Sequence, residues 1–145
     1  MAIELDLYTK ENDEWLRALT EEDLKQPIAL VKTQIENYIY SAKPEYSTFK
    51  VEGFVIELDD IFRFYNLLVG IYVPKAKMKD IDEALKEKWE NPEFNYALTF
   101  DANEGVAELN LPLDYVEGFS TEFTVQQTIE FIEQLLSTIV LKITK

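Results

Sequence analysis

The chain has 145 residues, 28 acidic against 14 basic, for a formal net charge of -14. It holds no Cys and no His, which removes disulfide frameworks, thiolate nucleophiles, the usual serine triad and the commonest transition-metal ligand. Hydrophobic residues make up 47%, too many for intrinsic disorder, and the length suits one domain spanning 1–145.

The start of the chain has no basic region leading into an apolar run, so no secretory signal is read there and a cytoplasmic location is expected. Ile3, Leu5 and Leu7 alternate with Glu4 and Asp6, the period of a half-buried strand. Asn12 is read as the cap of a short helix carrying Trp15, Leu16 and Leu19, with Trp15 in the core. Leu24, Ile28, Val31, Ile35 and Tyr38 then recur at steps of four and three. That spacing predicts a helix starting near Gln26, with Pro27 in its first turn, and ending before Pro44.

From Thr48 the period changes. Phe49, Val51 and Val55 point one way and Phe54, Ile56 and Leu58 the other. Asp59-Asp60 reads as a turn, and Ile61 to Val73 as a central strand stopped by Pro74. Lys79 to Trp89 reads as a helix, with Asp82 and Lys86 as an i,i+4 pair. Asn95 to Phe100 and Val106 to Leu111 read as a hairpin about an Asp101–Gly105 turn. Thr124 and Gln127 fit a capping box for a last helix, whose apolar residues run from Val125 to Ile143. Its wide stripe implies burial on two sides, against the sheet and against a helix or subunit. The expected class is α+β: an antiparallel sheet of two hairpins plus an N-terminal strand, packed with helices in the order (β)-α-α-β-β-α-β-β-α.

Chemistry is sparse. Asp59 and Asp60 are neighbours in a turn and point in different directions, so they do not make the facing carboxyl pair of a glycosidase. Asp101-Ala-Asn103-Glu104-Gly105 misses the calcium-loop pattern, because Gly stands fifth instead of sixth and Pro112 replaces the twelfth-position Glu. The four glycines stand alone, so no phosphate cradle exists; Gly53 and Gly70 are read inside strands, marking a bulge or a close approach of another backbone. Phe62, Phe64 and Tyr65 lack the basic groove of a nucleic-acid platform and are read as packing. The charge itself argues against nucleic acid and against an anionic membrane. It is unevenly spread: residues 93–145 carry nine acids and two bases, whereas residues 75–92 are neutral. No catalytic residue, cofactor or metal ligand is assigned, and the chain is read as no enzyme.

The run from Leu85 to Leu136 has a helix, the break Glu90-Asn91-Pro92, the strand Tyr96–Phe100, the turn Asp101–Gly105, a strand ending in Leu111-Pro112-Leu113, a spacer and a long amphipathic helix. This order resembles the superfamily of type III secretion chaperones and their YbjN-domain relatives, over about residues 21–140, with residues 1–20 as an N-terminal extension. The resemblance implies a small, acidic, dimeric α+β protein that binds other proteins, as secretion chaperones hold extended client segments. It also implies that the middle helix brings Ile81, Leu85 and Trp89 to a dimer or partner interface. The function expected is therefore non-enzymatic binding of an extended or basic segment of a partner protein. The alternatives are an acidic inhibitor imitating nucleic acid, of phage or viral type, and a metal-assisted hydrolase built on carboxylates.

Overall fold

A computed structural model describes residues 5–29 and 36–144. Two short strands come first, β1 (Leu5–Thr9) and β2 (Trp15–Ala18), followed by a one-turn helix, α1 (Glu21–Lys25). Next come β3 (Asn37–Ser41), a 3-10 segment at Pro44–Phe49, β4 (Phe54–Leu58) and β5 (Tyr65–Tyr72). Helix α2 (Met78–Lys86), strands β6 (Ala97–Asp101) and β7 (Val106–Pro112), and helix α3 (Val125–Ile143) complete the order. All seven strands join one antiparallel sheet, arranged β2-β1-β3-β4-β5-β7-β6. The α+β class expected from the sequence holds, with more strands than expected.

The last helix forms where the capping box places it. Thr124 Oγ1 accepts from Gln127 N–H at 3.1 Å, and Gln127 Oε1 accepts from Thr124 N–H at 2.9 Å, so two otherwise orphaned donors are satisfied. Its buried stripe includes Ile129, Ile132, Leu136 and Ile139. That stripe meets the sheet, α2 and α1, so its two covered sides are both filled from within the chain. Helix α2 carries the expected Asp82–Lys86 pair at 2.9 Å and ends at Lys86, before Trp89.

The first third departs from expectation. The helix read after Asn12 is instead the β1–β2 hairpin, in which Asp13 takes φ 55 to close the turn. Trp15 pairs with Tyr8 and is exposed, not core. The long helix from Gln26 is absent from the described residues. Thr20 caps a single turn ahead of it, and Gln26 to Ile28 run beside the start of α3, with Ile28 N–H donating to Phe123 O at 2.7 Å and Val125 N–H to Gln26 O at 2.8 Å. Tyr38, read as part of the apolar face of that helix, lies in β3, where β1 and β4 hydrogen-bond on either side. Two ladders outweigh a local apolar period for a segment as rich in β-formers as Asn-Tyr-Ile-Tyr-Ser. Ile3, Val31 and Ile35, read as apolar positions of the first strand and the long helix, lie outside the described residues. Phe49 belongs to the 3-10 segment, and β5 starts at Tyr65 because residues 59–64 form a closed turn.

One side of the sheet is core. Leu5, Leu7, Ile39, Phe54, Ile56, Leu58, Leu67, Ile71, Leu109 and Leu111 alternate inward onto α2 and α3. The described helices all pack on that side.

Candidate functional site

The strand period puts the remaining residues on the opposite face. By register these are Asp6 and Tyr8 of β1, Tyr38 and Tyr40 of β3, Val55 and Glu57 of β4, and Leu68, Gly70 and Tyr72 of β5. Val106, Glu108 and Asn110 of β7, with Ala97 and Thr99 of β6, continue the row. Tyrosines are concentrated at one end of it: Tyr8 stacks on Tyr38 with centroids 5.4 Å apart, and Tyr40 meets Tyr8 edge-on at 6.2 Å. Trp15 extends this aromatic strip to the edge strand, its indole N–H donating to Asp6 at 3.0 Å.

Beside the strip lies a depression of about 450 Å³. Its floor is Val55, Leu68, Gly70 and Val106, and Tyr40 and Glu108 stand among its lining. Two glycines shape it. A Cβ on Gly53 would lie 2.6 Å from the Ser41 carbonyl oxygen and from the Tyr40 hydroxyl, so the glycine leaves room for the end of the Tyr40 side chain. A Cβ on Gly70 would lie 2.8 Å from Val106 Cγ1. The backbone approach expected at these glycines is present at Gly53, which lies just before β4; Gly70, inside β5, meets a side chain instead.

The face is acidic. Asp6, Glu57 and Glu108 project from its strands, and the Glu52 carboxylate at its margin raises the Tyr72 phenol. Burial, and secondarily Glu52, raises Tyr40. Burial pushes Glu57 up against the opposing pull of Lys10. Tyr38 is pushed up to about 12 by burial and by donating to Asp13 at 3.0 Å. Lys10 is committed to the β4–β5 turn, donating to Leu58 O at 2.6 Å and to Asp60 at 2.8 Å.

The residues singled out from the sequence lie elsewhere. Ile81 and Leu85 are 0% and 3% exposed and pack in the chain's own core. Trp89 is half-buried, donates to Phe94 O at 2.8 Å and meets Tyr96 and Tyr115 edge-on. Placed so, Ile81 and Leu85 give the single chain no exposed interface. Asp59 spends its carboxylate on the amides of Ile61 and Phe62, at 2.9 and 2.6 Å, and Asp101 on those of Asn103 and Glu104. Both are turn-holding residues, as the turn readings require. Phe64 and Tyr65 are buried, while Phe62 is exposed and stacks on Phe64. Among the described residues no group of three or more acids is placed to hold a metal ion, and no helix is long and apolar enough to cross a membrane.

Comparison with protein-family models, with curated proteins and with solved structures finds no match for this chain.

Proposed function

We propose that this chain is a protein-binding module that receives an extended, basic segment of a partner protein on the face of its sheet opposite the described helices. The observation that carries the reading is that face itself. Helices cover one side of the sheet, and the other presents tyrosines and aliphatic residues between Asp6, Glu57 and Glu108. Aromatic side chains supply contact area at low entropic cost, and carboxylates favour a basic partner and repel an acidic one. An extended segment matches the surface in shape, because side chains alternate at the spacing of the strands beneath. This is the mode of binding that the resemblance to secretion chaperones implies.

The test is an amide NMR titration with two unstructured peptides, one rich in lysine and arginine and one rich in glutamate. The basic peptide is expected to shift the amides of β1, β3 and β5 near Tyr8, Tyr40 and Tyr72, and the acidic peptide to leave them in place. Shifts confined to α2 and α3, or none with the basic peptide, would overturn the reading.

A further inference from the structure

Within that face, Glu108 is singular. It is exposed, stands in β7 between Gly70 of β5 and Thr99 of β6, and among the described residues is the only charged one lining the depression. Its two cross-strand neighbours offer no cation, and it joins no ion pair among the described residues. Of the other acids on the face, Asp6 takes the Trp15 indole and Glu57 lies 4.0 Å from Lys10.

The surroundings of Glu108 have two chemical parts. Val55, Leu68 and Val106 make an apolar floor, and Gly70 adds no side chain to it. Thr99 and Asn110 add polar groups, and the Tyr40 ring closes one side. An aliphatic stem on the floor with a cationic head at the carboxylate satisfies both parts, and that is the chemistry of arginine and lysine. An aromatic ring beside the site favours the same charge. A neutral apolar side chain would fill the floor and leave Glu108 unpaired.

We propose that the depression over Gly70 is a specificity pocket for one cationic side chain, arginine or lysine, of the bound segment, with Glu108 as its counter-charge. The proposal rests on the sheet face being the binding surface, and it names the position that selects the segment.

The experiment uses the full chain and two short peptides of alternating valine and threonine, identical except for a central arginine in one and citrulline in the other. Citrulline keeps the shape and removes the charge. Calorimetry is expected to give the arginine peptide about tenfold tighter binding, the scale of one charge-assisted hydrogen bond. Glu108→Gln should abolish that preference, so that the two peptides bind with equal affinity. Ala97→Phe, which places a ring at the mouth of the depression, should weaken both. Circular dichroism of each variant confirms that it folds. Equal affinity for the two peptides, or an arginine preference that survives in Glu108→Gln, would overturn the pocket. If the peptides then still shift the amides near Tyr8 and Tyr40, the face remains a binding surface and only the pocket falls. If neither peptide shifts them, the pocket is wrong, and the lysine- and arginine-rich titration decides the face separately.

Discussion

Gly53, just before β4, and Gly70, inside β5, face different obstacles, and the difference sets how much a methyl group costs at each. At Gly53 a Cβ meets the Ser41 carbonyl oxygen at 2.6 Å, a backbone atom held beside the β3–β4 ladder. At Gly70 it meets Val106 Cγ1 at 2.8 Å, a side-chain methyl with a rotamer to give. Overpacking costs about 1–3 kcal/mol, so Gly53→Ala is expected at or above the top of that range and Gly70→Ala near its foot, measured by urea denaturation. Ionisation separates two further residues. The Arg17 guanidinium, 2.8 Å away, and the Thr20 amide hold the Asp23 carboxyl down at about 2. A depressed carboxyl stabilises the fold above its unfolded pKa, near 4, and that contribution is lost as pH falls towards 2. Asp23→Asn should therefore flatten the acid limb of the stability curve between these values. Tyr38 has the opposite sense. Its hydroxyl is held protonated up to about 12, so its contribution is complete below pH 10 and disappears as pH rises through 12. Tyr38→Phe should remove that alkaline loss, as followed by circular dichroism against pH.

At the scale of elements, the sequence is most legible where local signals and tertiary packing agree. The capping box at Thr124 and Gln127, the i,i+4 pair in α2 and the Asp101–Gly105 turn each form from neighbours in sequence, and each is where its residues place it. The first third is hidden because its partners are distant. Tyr38 and Ile39 have a helical period behind them, but hydrogen bonds to β1 and β4 decide their conformation. Trp15 shows the same point, since β-pairing with Tyr8 carries it onto the exposed side of an edge strand. The two tryptophans should consequently report differently. With Trp15 55% exposed and Trp89 half-buried among Tyr96 and Tyr115, iodide is expected to quench a Trp89→Phe variant strongly and a Trp15→Phe variant weakly. Helix α2 gives a matching stability prediction. Ile81 is fully buried against the core, so Ile81→Ala should cost about 2–5 kcal/mol of unfolding free energy at any protein concentration. A residue whose burial depended on a second subunit would instead show a loss that varies with concentration.

For the molecule as a whole, the candidate site was only half legible. The charge of -14 points to basic partners, and the outward position of Glu108 follows from the alternation of Val106 to Leu111. What no local pattern shows is that Tyr8, Tyr40, Leu68 and Glu108, far apart in sequence, share one face of a seven-stranded sheet that the described helices leave bare. That union gives the charge a direction, and salt dependence distinguishes its two consequences. Binding of a basic segment to an acidic face is an attraction, which screening weakens as the Debye length shrinks to about 8 Å at physiological ionic strength and to 3 Å at 1 M. Association of two copies brings two charges of -14 together, a repulsion that the same screening relieves. Raising salt should thus reduce affinity for a lysine- and arginine-rich peptide, chiefly by slowing its association. Light scattering across the same series should show any self-association growing with salt. A basic peptide whose affinity is indifferent to salt would mean that apolar contact alone holds it, and that the carboxylates of the face take no part in recognition.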